Sequence, residues 1–333
     1  MKRANISIFV PHKGCPNDCS FCNQRAISGQ TVPATEKDVA DAVETAINHN
    51  IEPKSTEIAF FGGSFTAIER GYMLSLLTAA KHFSDIYGFS GIRISTRPDC
   101  IDREMLDILK DYGVTAIELG AQSMDDSVLL CNHRGHTAEQ VCESSVLIRE
   151  YGFSLGLQMM TGLYKSDFRK DRLTAQKIIE LRPDTVRIYP TVVLKNTYLG
   201  ELYLKGEYNP PNAEQSVPLC AELLQMFEKE KIRVIKLGLH SSETVEADML
   251  GGAYHPAFRE LCEGHIYLQN MREALKNRSK EYEYDIFVPE KALSKAKGQN
   301  KRNEKALKND GFYCKIKGKN SLQDFEVEVA QTV

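Results

Sequence analysis

Apolar and polar positions along this chain fall into two alternating periods. A short apolar run from Ile6 to Val10 comes first and reads as a strand. Thr35-Glu36-Lys37-Asp38 then supplies a cap with acids in the first turn, and Val39, Val43, Ala46 and Ile47 recur at helical spacing. The pattern repeats. A strand at residues 57–61 runs into Gly62-Gly63-Ser64-Phe65, followed by a helix through Tyr72, Leu76, Leu77 and Ala80. Ile92 and Ile94 mark a third strand, ending at Ser95-Thr96-Arg97-Pro98-Asp99, and residues 103–112 form a helix with Leu106 and Leu109 inward. The fourth strand, 115–119, ends at Gly120-Ala121-Gln122-Ser123. A helical region with Val141, Val146 and Ile148 leads to the fifth strand, 153–159, and a helix at 173–181 leads to the sixth, 185–189. Strands alternating with helices predict a parallel sheet covered by helices.

In such sheets ligands bind beyond the carboxyl ends of the strands. Residues with chemical handles stand at those ends: three cysteines after the first strand, Gly62, Gly63 and Ser64 after the second, Arg97 after the third, Gln122 after the fourth, Gln158 near the end of the fifth and Tyr189 at the sixth. We read them as walls of one pocket. Glycines let backbone approach a ligand closely, though a tight strand–helix turn is an equal use of them. Ser64 and Gln122 can bond a ribose or amino-acid head group, or cap a helix. Arg134 can fork onto a carboxylate, or stand solvated in its loop.

Composition narrows the class. The 333 residues are 42% hydrophobic and 26% charged, with a net charge of −3. That is the balance of a folded globular chain. No apolar run approaches the ~20 residues that span a bilayer. Met1-Lys-Arg-Ala-Asn leads directly into the first strand without a signal-peptide pattern, and the nine cysteines fit a reducing compartment, so we expect a cytoplasmic protein. Charge is uneven along the chain. Residues 290–319 hold ten Lys or Arg against three Asp or Glu, which suggests a surface for an anionic partner or a solvated basic helix.

The most informative stretch is Cys15-Pro-Asn-Asp-Cys19-Ser-Phe-Cys22. Three thiolates in one loop suit three irons of a four-iron cube and leave the fourth iron open to a small molecule. A structural zinc site would need a fourth ligand, for which His12 is placed. The loop resembles the Cys-x3-Cys-x-aromatic-Cys motif of the radical S-adenosylmethionine (SAM) superfamily, with Phe21 at the aromatic position that packs on adenine. The resemblance sharpens through Gly62 to Thr66, Thr96 to Asp99, Ile117 to Ser123, Arg134 to Thr137, Leu155 to Leu163, Tyr189-Pro190-Thr191 and Lys195-Asn196-Thr197. These segments look like the radical-SAM domain of the catalytic Elongator subunit and, more loosely, oxygen-independent coproporphyrinogen oxidase.

That resemblance implies an α/β fold: a partial (β/α)6 TIM-like barrel with a helical extension over residues 1–276, then a small α+β appendage at 280–333. It implies a [4Fe-4S] cluster on Cys15, Cys19 and Cys22, and S-adenosyl-L-methionine held by Phe21, Gly62, Gly63, Ser64, Gln122, Arg134 and Gln158. It also implies an external electron donor, and places Tyr189 and Lys195 facing substrate. Reductive cleavage of SAM then yields a 5′-deoxyadenosyl radical. Two departures stand out. Ser95 occupies a position where relatives often carry a ribose-holding glutamate, and no acetyltransferase motif is recognisable. The tail from residue 280 resembles a KH-type RNA-binding module with a degenerate Gly-x-x-Gly loop at Gly298 to Lys301. Lys295, Gly298, Lys301, Arg302 and Lys305 are its expected RNA contacts; the alternative is a basic cap on the barrel edge. Three functions follow: a radical-SAM enzyme on RNA, most simply tRNA; the same chemistry on a small molecule; or an RNA-binding protein with a structural metal.

Overall fold

The computed structural model describes residues 4–10, 19–23, 32–240 and 243–332; Cys15 and His12 lie outside them. Seven parallel strands form one sheet: β1 (Ala4–Val10), β2 (Thr56–Gly62), β3 (Gly91–Thr96), β4 (Val114–Gln122), β5 (Ser154–Thr161), β6 (Thr185–Pro190) and β8 (Arg233–Leu237). The order is β1-β2-β3-β4-β5-β6-β8, so neighbours in sequence are neighbours in space, as in an opened (β/α) barrel. Six of these strands match the expectation. The seventh, β8, extends the sheet beyond β6 after two helices, Tyr198–Leu204 and Ala213–Lys229; β7 (Val192–Leu194), before those helices, pairs antiparallel with β9 (Met249–Gly252), which follows β8.

The two faces of the sheet differ. Ile58, Phe60, Ile92, Ile94, Ile117, Leu119, Leu155, Leu157, Val186 and Ile188 point outward into a core with the covering helices, all buried. The alternate positions on the concave face are Glu57, Arg93, Glu118 and Arg187. A period of two puts them all on the inside. Helix starts are locally encoded: Thr35 with Asp38, Thr137 with Gln140 and Asn212 with Gln215 each form a capping box. Val146, read as part of a helical stripe, is 54% exposed because it lies on the solvent side of its helix.

The tail forms a three-stranded sheet in the order β11 (Tyr313–Lys319), β10 (Glu283–Pro289), β12 (Glu328–Gln331). Two short helices, Leu293–Lys297 and Arg302–Asn309, join β10 to β11. The long helix Phe258–Leu275 serves both units. Phe258, Cys262 and Ile266 sit in the barrel core, and Tyr267, Leu268, Met271 and Leu275 sit in the core of the tail. No helix among the described residues is long and apolar enough to cross a membrane.

Candidate active site

Hydrogen bonds tie Cys19 to the carboxyl ends of β2, β3 and β4. The Arg134 guanidinium donates from Nη1 to Cys19 Sγ at 3.2 Å and from Nη2 to the Gly120 carbonyl at 2.5 Å. Its Nε is buried without a hydrogen-bond partner. The backbone carbonyl of Arg134 accepts from Arg97 Nη2 at 2.9 Å, and Arg97 is held in a fork by Asp99, at 2.9 and 2.8 Å. The Arg97 backbone N–H in turn donates to Ser64 Oγ at 3.2 Å. Ser64, Arg97, Arg134 and Cys19 thus form one connected chain, all of them buried.

Gln122 owes its place to a bulge. Gly120 pairs with Gln158 and Gln122 with Met159, so Ala121 is an extra residue in β4. Gln122 has φ of +62°, and its Oε1 accepts from Gln158 Nε2 at 3.4 Å. Bulges commonly re-aim a side chain beside a functional site. A Cβ on Gly120 would lie 2.9 Å from Gln122 Nε2 and 3.2 Å from Arg134 Nη2, so a side chain there would press on the ends of both. The Ala121 carbonyl faces His136 Nε2 at 3.2 Å. Burial, and then the Arg134 charge, hold the His136 imidazole down at about 4.

The cysteine loop is anchored by residues whose role the sequence did not announce. The backbone carbonyl of Asn132 accepts the Ser20 N–H at 3.1 Å, and Asn132 Oδ1 accepts the Ser20 hydroxyl at 2.7 Å. Asn132 Nδ2 reaches the carbonyls of Val128 and Tyr164. The Ser20 carbonyl accepts the N–H of Leu199, and Asn23 Nδ2 donates to the Lys195 carbonyl at 3.1 Å. Phe21 is half-buried and packs on the small cluster that also carries Tyr189.

Gly62 has φ of +118°, and a Cβ there would fall 2.4 Å from the Val10 carbonyl oxygen; β1 approaches too closely for a side chain. The Gly63 N–H donates to that same carbonyl. Ser64 Oγ also meets Thr96 Oγ1 at 2.8 Å, so this hydroxyl ties β2 to β3. Ser95 lies half-buried on the concave face. Lys195 Nζ donates to the Ala247 carbonyl at 2.9 Å. In the tail, Lys295 pairs with buried Glu263 at 2.5 Å, Lys301 with Glu304 at 3.9 Å and Arg302 with Glu214 at 3.2 Å, while Lys305 is exposed. Gly298, Asn300 and Lys301 all have positive φ, and Asn303 pins the loop to the long helix through the Gly264 carbonyl at 2.7 Å.

Below the pocket a charged ladder fills the concave face. Arg93 bonds Glu57 (2.7 Å) and Glu118 (3.2 Å), and Glu118 accepts a fork from Arg187 (2.6 and 3.0 Å). Burial pulls the Arg187 guanidinium down, but the Glu118 carboxylate outweighs it and holds Arg187 above its ordinary value. Burial raises the Tyr189 phenol, with Arg187 acting against it. The signal for this ladder was in the strands all along: single charged residues flanked by apolar ones, as in Ile92-Arg93-Ile94 and Ile117-Glu118-Leu119.

A positive, buried face presented to the Cys19 sulfur, with an unpartnered N–H to spare, fits an anionic thiolate-bound group and a carboxylate. Cys19 and Cys22 are joined by a turn in which the Cys22 N–H donates to the Cys19 carbonyl at 3.0 Å.

Comparison with known proteins bears on the family. The model of the radical SAM superfamily matches residues 9–173, and that of the radical SAM C-terminal domain matches residues 183–267. The chain is 28% identical over 242 residues to the tRNA uridine(34) acetyltransferase of Dehalococcoides mccartyi, covering 62% of this chain and 53% of that protein. It is 37% identical over 140 residues to Elongator complex protein 3 of Homo sapiens, covering 41% of this chain and 25% of that one. It thus spans about half of the first relative's length and a quarter of the second's. The solved structure of the Methanocaldococcus infernus Elp3 with an N-terminal deletion superposes with a TM-score of 0.66 at 20% identity, covering 82% of this chain and 65% of that one, a likeness of fold.

Proposed function

Because the chain belongs to the radical SAM superfamily, we propose that it modifies an RNA, most simply a tRNA, by way of a 5′-deoxyadenosyl radical. Bound at this site, a [4Fe-4S] cluster and SAM supply the electron and the radical. Cys19 and Cys22, with Cys15 outside the described residues, would hold the cluster. Arg134, Gln122 and Gln158 offer polar atoms to the amino acid and nucleoside of SAM, and Phe21 an aromatic face. The observation that carries this reading is the Arg134 contact to Cys19: it joins the end of β4 to the cysteine loop and gives that loop a buried cation.

The charged ladder closes the concave face beneath the pocket, so a substrate approaches from the carboxyl ends of the strands. There, Tyr189 is the substrate-facing residue we favour, with Lys195 at the rim. RNA is supported by two observations. Curated relatives named for tRNA uridine and Elongator match 62% and 41% of this chain. The tail loop also lies on the same side as the pocket: Arg302 pairs with Glu214, in the first turn of the helix that leads into β8. A helix feeding a parallel strand runs antiparallel to it, so its start lies at the strands' carboxyl side. Lys301 and Lys305, exposed there, are suited to phosphates.

The ion pairs of Lys295 and Arg302 favour the second reading, in which the tail caps the barrel and the substrate is small. Anaerobic reconstitution with iron and sulfide, reduction and addition of SAM decides between them. Formation of 5′-deoxyadenosine that rises with bulk tRNA supports the RNA enzyme. Formation indifferent to tRNA moves the assignment to a small substrate, and intact SAM with bound zinc overturns both.

A further inference from the structure

Resting on the reading of Cys19 as a cluster ligand, we infer that Arg134 is a positioning residue for electron transfer: it raises the reduction potential of the cluster through the Cys19 sulfur. Arg134 Nη1 lies 3.2 Å from Cys19 Sγ, although the two residues are 115 positions apart in the chain. This contact is built, not incidental. Nη2 is fixed by the Gly120 carbonyl, the Arg134 backbone by Arg97, and Arg97 by Asp99. Arg134 and Arg97 are 6% and 3% exposed. A Cβ at position 120 would come within 3.2 Å of Arg134 Nη2.

Reduction adds one electron to the cluster, and the added negative charge spreads onto the ligating sulfurs. A guanidinium donating to one of those sulfurs stabilises the reduced form more than the oxidised form, so the potential rises. Exclusion of water strengthens the effect, because the charge is not screened. The same guanidinium can still meet an anion through Nε, which is buried without a partner. The contact to sulfur therefore acts before SAM binds as well as after.

The test uses the full chain, reconstituted anaerobically and studied without SAM. The midpoint potential is read by EPR-monitored redox titration in the wild type, Arg134→Lys and Arg134→Gln. The midpoint moves to more negative values in Arg134→Gln, with Arg134→Lys between. In wild-type protein carrying nitrogen-15 arginine, pulsed EPR of the dithionite-reduced cluster shows a nitrogen-15 coupling. A full iron complement in Arg134→Gln with an unchanged midpoint overturns the inference. So does the absence of that coupling in the wild type, a result independent of whether the variants fold. A wild type that takes up no cluster, or a Cys19→Ala variant that keeps a complete one, instead overturns the reading on which the inference rests.

Discussion

Replacing Glu118 with Gln removes one charge from the middle of the ladder and almost no volume. Glu118 is 4% exposed and accepts from Arg93 and, twice, from Arg187. Arg93 keeps Glu57 in the variant, but Arg187, with 13% of its side chain exposed, loses its carboxylate partner. Breaking a buried pair by removing one partner costs roughly 3–5 kcal/mol, because the remaining charge is left uncompensated. At about 2.1 cal/mol/K per residue, 333 residues give an unfolding entropy near 0.7 kcal/mol/K, so Tm falls by about 4–7 °C. Thermal unfolding of the full chain by circular dichroism at fixed pH measures this. The double variant Glu118→Gln, Arg187→Met removes the stranded charge and regains part of the loss. A single variant within ~1 °C of wild type refutes the account, since it means that water or another group already neutralises Arg187.

Three further outcomes follow from the same geometry. Cys19→Ala loses most of its bound iron while keeping its far-ultraviolet circular dichroism; undiminished iron after reconstitution would remove Cys19 from the ligand set. Gly62→Ala unfolds at clearly lower urea concentration, by about 3 kcal/mol or more, because a Cβ meets the Val10 oxygen at a left-handed φ; an unchanged midpoint contradicts the close approach of β1. The pH dependence has two opposed parts. His136, lowered to about 4, gives stability that is present above its unfolded value of 6.5 and lost as pH falls toward 4. Asp171, raised to about 6 by burial against bonds from Ser166 and Gly162, gives stability that is present below 3.8 and lost as pH rises toward 6. Each is worth about 3 kcal/mol at its limit, so they offset one another between pH 6 and 4. In Asp171→Asn the loss toward acid becomes visible by urea unfolding, and a curve parallel to wild type over that range refutes the pairing.

The sequence by itself determined the alternation of strands and helices, because each element carries its own period and its own cap. Thr35 and Asp38, or Thr137 and Gln140, start their helices within four residues. It also placed the cysteines, Gln122 and Tyr189 at one end of the sheet, since a parallel strand order fixes which ends share an edge. What it could not show were contacts between distant segments. β8 contains Arg233 and Lys236 in a run of five, too short and too polar to stand out until pairing with β6 makes it a strand. Charged residues inside strands read equally as edge or interior, and only curvature brings Glu57, Arg93, Glu118 and Arg187 within bonding distance. The tail lysines look free in a basic run, yet Lys295 and Arg302 find carboxylates on two barrel helices. The meeting of Arg134 with Cys19 belongs to the tertiary structure alone: the Gly120 carbonyl beside the bulge and a second arginine together hold a cation against the Cys19 sulfur.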